Sequence, residues 1–120
     1  MNKFKKINLV NNKYFVGYNL RFHPVILFLK KIIKNKIIYS VNVSCTSYLP
    51  NWRKNIKYEK SSTAMKKMGG GLILDLSHEL DYIHWLFGKI FLIYSYNKKL
   101  SNLKINTDDF LILIAKLKKN

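Results

Sequence analysis

The sequence has one cysteine, Cys45, two prolines, five glycines and only six acidic residues in 120. A single thiol excludes an intramolecular disulfide and a cysteine-based zinc site. It accords with a reducing compartment, so a cytoplasmic protein is expected. Long apolar runs are missing too: residues 25–29 are apolar but stop at Lys30-Lys31, against the roughly 20 residues that a membrane span needs. No apolar stretch with a small-residue cleavage site follows the amino-terminal lysines, so no secretion signal is expected. Arginine is nearly absent, Arg21 and Arg53 being the only two among 22 basic residues.

That scarcity bears on what is abundant. The net charge is +16 and the isoelectric point lies near 10.0, a balance that points towards nucleic acid or an anionic membrane, from which basic patches release counterions. Lysine, however, lacks the bidentate fork with which arginine grips phosphate and guanine. Here it stands throughout beside asparagine and isoleucine, as in Lys34-Asn35-Lys36-Ile37-Ile38, a pattern of compositional drift. No specific nucleic-acid partner is expected; a non-catalytic basic module that binds nucleic acid or an anionic surface is the alternative reading. With 48% hydrophobic residues in 14.2 kDa, the chain has the apolar material of one ordinary domain and too much for a disordered segment.

Residues 14–16 predict a short strand leading into Gly17. Pro24, whose fixed φ suits a first helical turn, predicts a helix with Val25, Leu29, Ile32 and Ile33 on its apolar stripe. From 37 to 48 the period changes to two, with Ile37, Tyr39, Val41, Val43 and Cys45 alternating with Ile38, Ser40, Asn42, Ser44 and Thr46, which predicts a half-buried strand. Residues 49–68 lose periodicity and predict an extended loop with a helical turn near 64–67. A helix is expected from Leu72 or Asp75 to Phe87, stopped by Gly88, with Leu76, Leu80, Ile83 and Phe87 buried. Residues 90–96 and 109–117 predict two further strands, the second apolar on both faces and therefore central. The expected fold class is α+β, an open, mostly antiparallel sheet with helices packed on one face. Ending just after a central strand, the sheet is expected to be truncated at its carboxyl end, and residues 1–120 to form a single partial domain.

The chemistry concentrates after Gly69-Gly70-Gly71. Successive glycines leave room for a ligand or cofactor to approach the main chain. Asp75 and His78, three apart on a helix, are neighbours, so the carboxylate is placed to orient the imidazole, and a histidine suits the base that takes a hydroxyl proton. The plainer reading is an acid complementing a helix dipole beside a packed or solvated imidazole, after an ordinary glycine loop. No Gly-x-Gly-x-x-Gly is present, and His84 follows His78 by six positions, not the four of a zinc-binding His-Glu-x-x-His. Arg21 is either a clamp for an anionic or polyol substrate or an ordinary salt-bridge partner. Trp52, Arg53 and Tyr58 suit stacking on a sugar ring; Trp52 equally suits anchoring its loop to the core.

Three blocks in order, Gly17-Tyr18-Asn19-Leu20-Arg21-Phe22-His23-Pro24, residues 52–61 and residues 69–88, carry a resemblance. With Gly-Gly-Gly-x-x-x-Asp-x-Ser-His-Glu-x-Asp at 69–81 and Trp85-Leu86-Phe87-Gly88 after it, the chain resembles the substrate domain of the Gfo/Idh/MocA oxidoreductases, NAD(P)-dependent dehydrogenases of sugars and cyclitols. The resemblance implies an amino-terminal Rossmann domain for NAD or NADP and a carboxyl-terminal α/β domain whose open sheet serves oligomer contacts. It implies a sugar or sugar-nucleotide-like polyol as substrate. By type it matches Asp75 and His78 to the catalytic Asp and His, although many members place that His four residues after the Asp. The expected substrate-binding residues are Asn19, Arg21, Trp52 and Tyr58. The family's glycine fingerprint and Glu-Lys-Pro lysine have no counterpart here. The expectation is thus a fragment that binds no cofactor by itself, inactive alone or completed by a separate Rossmann-domain chain. A purely structural oligomerisation domain is a further alternative.

Overall fold

In the computed structural model, which describes residues 15–118, Pro24 and His23 together start the first helix. His23 Nδ1 accepts from the Val25 amide at 3.2 Å, and the proline occupies the first turn, where its missing N–H costs nothing. Helix α1 spans Pro24–Ile33, with Lys30 and Lys31 in its last turn, where cations suit the helix dipole. The chain leaves through Asn35 at φ 61°, a left-handed position that asparagine tolerates better than most residues. Residue 14 of the expected first strand lies outside the described residues, and 15–16 are irregular.

Short 3-10 turns follow at Leu49–Asn51, Tyr58–Lys60 and Lys66–Met68, then helices α2 (Leu72–Asp75) and α3 (Ser77–Phe87) and strands β1 (Lys89–Lys98) and β2 (Phe110–Lys118). The single helix expected over this motif is two, because Leu76 turns to φ −104° and ψ 20°. The halves answer to different anchors: the Leu72 amide donates to Asp108 at 2.8 Å, whereas Asp81 of α3 is held by Arg21.

β1 and β2 pair antiparallel from Lys89↔Lys118 to Lys98↔Phe110, with an irregularity between Leu92 and Tyr94 that leaves Ile93 unpaired. Leu111, Leu113, Ala115 and Leu117 of β2, with Ile90 and Leu92, look towards Leu72, Leu76, Leu80 and Ile83 across an apolar gap of about 240 Å³. The opposite face leaves Phe91, Tyr94, Phe110, Ile112 and Ile114 exposed. This is the α+β arrangement expected, with an antiparallel sheet and helices over one face.

Two expectations need correcting. β2, expected to be central, pairs with β1 alone among the described residues. Residues 37–48 form no strand there, and 37–47 exchange no backbone hydrogen bond with another described residue. Their alternation still has a structural meaning, since Val41, Val43 and Cys45 line the same apolar gap as β2; what the segment lacks is a ladder neighbour. Among the described residues only Ser61, Ala64, Gly71 and Thr107, at the junction of the 61–71 and 105–109 loops, are buried. No helix among the described residues is long and apolar enough to cross a membrane.

Candidate substrate cleft

The glycine turn is fixed by polar stitches from the loop that precedes β2. Asn106 donates its amide to Ala64 O at 3.1 Å, and its side-chain Oδ1 accepts from the Lys66 amide at 2.8 Å. Thr107, 5% exposed, donates its hydroxyl to Thr63 O at 2.9 Å. Asp108 accepts the Leu72 amide and closes the first turn of α2. A Cβ on Gly70 would lie 2.1 Å from Ser62 O, and one on Gly71, which sits at φ 131°, would lie 2.9 Å from Asp108 Oδ1. At Gly70 and Gly71 the space that the glycines were expected to leave for a ligand is taken by the protein's own carbonyls and carboxylate, whereas nothing lies within 4 Å at Gly69.

The turn delivers Asp75 to the wall of a cleft of about 660 Å³ that Trp52, Tyr48, Ser101, Thr107 and Asp108 also line. One carboxylate oxygen of Asp75, Oδ2, is buried without a hydrogen-bond partner. A buried acceptor left unmade costs free energy, so this oxygen suits a donor from outside the protein. His78 lies elsewhere. The break at Leu76 separates it from Asp75, its Nε2 stands 3.4 Å from Glu79 Oε1 with the side chain 36% exposed, and it is not among the cleft residues. The hydrogen-bonded Asp75–His78 pair expected from helical spacing is not formed, because the helix does not continue through Leu76.

Glu79 also accepts from the Tyr82 hydroxyl at 2.5 Å. Burial, then the neighbouring carboxylate, pushes the Tyr82 phenol well above its ordinary range. At the far end of the cleft, desolvation of Asp109 is outweighed by hydrogen bonds from the Ser101 hydroxyl and the Leu100 and Ser101 amides, which hold its carboxyl below the usual range.

The expected substrate contacts divide. Trp52 lines the cleft, its indole Nε1 donating to Ser47 Oγ at 2.5 Å. Tyr58 is a fastener: its hydroxyl accepts from the Lys104 amide at 3.2 Å, and its ring lines a separate small hollow with Trp52 and Arg53. Arg21 reaches Asp81 through Nε at 2.7 Å and Nη2 at 2.5 Å, and that carboxylate keeps its guanidinium charged. It is the salt-bridge partner, with its guanidinium also 5.8 Å from the Trp85 ring centre. Asn19 is exposed in the turn beside it, and neither lines the cleft. Sequence reasoning missed Asn106, Thr107 and Asp108; the only signal was a polar run immediately before an apolar strand. Among the described residues no group of three or more His, Cys, Asp or Glu could hold a metal ion.

No curated protein and no solved structure matches the chain. The family model described as the oxidoreductase family, C-terminal alpha/beta domain, matches residues 30–118, which takes in the cleft, α2, α3 and the sheet and leaves the Arg21 turn outside. Matching most of the 120 residues with the glycine turn, the split helix and the antiparallel strands in place, the chain belongs to the Gfo/Idh/MocA oxidoreductase family through its C-terminal α/β domain.

Proposed function

We propose that this chain is the substrate-binding part of an NAD(P)-dependent oxidoreductase acting on a sugar or sugar-nucleotide-like polyol. The observation that carries the reading is that Asp75, whose Oδ2 has no hydrogen-bond partner, lines a cleft that also presents Trp52. A hydroxyl donating to that carboxylate and a ring face against the indole are the two contacts by which a polyol is held and oriented.

The residues described do not fit a dinucleotide. Backbone N–H groups that cradle a pyrophosphate need an open glycine turn, whereas Gly70 is packed on Ser62 and Thr63 and Gly71 faces the Asp108 carboxylate. In this reading the nicotinamide is held outside residues 15–118, and the share of these residues is substrate binding. Asp75 holds the substrate hydroxyl, whereas His78, turned to Glu79 outside the cleft, takes no part in holding it. The same reading assigns contacts between copies to the outer sheet face, where Phe91, Tyr94, Phe110, Ile112 and Ile114 are exposed.

Titration of the chain with monosaccharides, inositol and a nucleotide-sugar, followed by indole emission, tests the cleft. Saturable binding that Asp75→Ala weakens about tenfold or more, the scale of a lost charge-assisted hydrogen bond, and that His78→Ala leaves alone is the expected result. Binding indifferent to Asp75, or none with any polyol, sinks the reading.

A further inference from the structure

The cleft beside Trp52 runs against the charge of the rest of the chain. The sequence carries +16, yet no lysine, arginine or histidine among the described residues lines this cleft, whereas Asp75, Asp108 and Asp109 do. The three carboxylates come from two elements: Asp75 closes α2, and Asp108 and Asp109 lead into β2. Lys99, whose Nζ donates to Ser101 O at 3.1 Å, stands near enough to Asp109 to help lower its pKa, and so offsets one of the three charges in part. Several neutral donors on the lining are already committed: Trp52 Nε1 donates to Ser47 Oγ, the Thr107 hydroxyl to Thr63 O and the Ser101 hydroxyl to Asp109. A phosphate or carboxylate group needs cations and free donors to leave water, and this lining is poor in both. Nor do the aspartates gather round a metal, since no group of three or more His, Cys, Asp or Glu among the described residues could hold one.

We propose that the substrate taken by this cleft is a polyol with an amino group and no anionic group, an amino sugar or aminocyclitol whose ammonium is held by Asp75. The inference rests on the polyol reading and narrows it, setting aside phosphorylated, carboxylated and nucleotide-linked sugars. An ammonium donates to a carboxylate through a charge-assisted hydrogen bond, stronger than the bond a hydroxyl makes. Asp75 is the carboxylate for it, because its Oδ2 has no partner within the protein, whereas Asp108 is engaged by the Leu72 amide and Asp109 by Ser101 and the Leu100 amide. Trp52 selects in the same sense, since an indole face attracts a cation. An anionic substituent would meet like charge from both elements, the arrangement by which a site rejects a wrong partner.

The test is titration of the full chain, followed by indole emission, with matched series built on glucose, galactose and inositol. Each series holds the neutral polyol, its monoamino derivatives with the amino group at each position in turn, and its phosphate esters. In a series that binds, one amino derivative is expected to bind about fivefold or more tighter than its neutral parent, and the phosphate esters about tenfold or more weaker. Asp75→Asn, which keeps the shape of the side chain and removes its charge, is expected to cut the amino derivative's advantage over its parent to about twofold or less. Phosphate esters that bind as well as the parent, amino derivatives that bind no better, or an advantage that Asp75→Asn leaves whole overturn the inference while the polyol reading stands. Absence of binding in every series overturns both.

Discussion

Gly70 has no room for a methyl group, because its Cβ would lie inside the carbonyl contacts of Ser62 and Thr63, which belong to the stitched junction and not to a flexible side chain. Gly70→Ala is expected to destabilise the chain by more than about 3 kcal/mol, read as a lowered urea midpoint. Asp75 should behave in the opposite sense. Its buried oxygen makes no bond within the protein, so Asp75→Asn leaves stability level or raises it by about 1 kcal/mol while polyol binding falls, as expected of a group kept for a ligand. Both changes assayed together separate the scaffold from the site. Asp109 supplies the pH dependence. Hydrogen bonds lower its pKa in the folded state, so the unfolded chain binds the proton more tightly. Its stabilisation is present above the ordinary aspartate range near pH 4 and is lost as pH falls through that range and below. Urea midpoints measured from pH 6 to pH 2 should show that decline, and Asp109→Asn should flatten it. At this scale the sequence was only partly readable. Asp75 at a cleft follows from its place after the glycines, but nothing local says that Arg21 is committed to a carboxylate 60 positions away, or that Asp108 reaches across to Leu72.

Elements whose signals are local came through. Helix α1 begins at Pro24 and ends where the apolar stripe runs out at Ile33, and β1 and β2 fall where runs of apolar and aromatic residues lie. Elements that need a distant partner did not. Residues 37–48 alternate as a strand does, yet a strand is defined by its neighbour, and none of the described residues supplies one. The break at Leu76 has the same origin, because competing tethers from Asp108 and Arg21 act through the fold and leave no mark on helical periodicity. The exit from α1 is legible and testable. Asn35 holds a left-handed φ of 61°, so Asn35→Gly should be neutral or stabilising, whereas Asn35→Val should cost about 1–2 kcal/mol, a difference that thermal melts of the two variants resolve.

The molecule as a whole exposes 10534 Å², against the roughly 6,800 Å² expected of a compact monomer of this mass. Its radius of gyration is 17.1 Å, where about 14 Å is usual for this length. Large apolar side chains are among the exposed ones, and some of them gather on one surface. This is the outer sheet face: Phe91 is 44% exposed, Tyr94 51%, Ile112 44% and Ile114 53%. Burying such a face releases on the order of 25 cal/mol per Å² of apolar surface, against which the chain's +16 charge sets a repulsion that salt screens. Association through this face should therefore strengthen from low salt to 0.5 M salt, opposite to the weakening that salt imposes on binding to a polyanion. Ile112→Glu with Ile114→Glu places carboxylates at the centre of the face and should return the sedimenting species to the monomer mass at both salt concentrations. Paired positions Tyr94 and Tyr96 lie across from those isoleucines on the neighbouring strand, so the double variant leaves the β1–β2 ladder and the helix-facing layer intact. An unchanged mass in that variant would move the contact between copies away from the sheet.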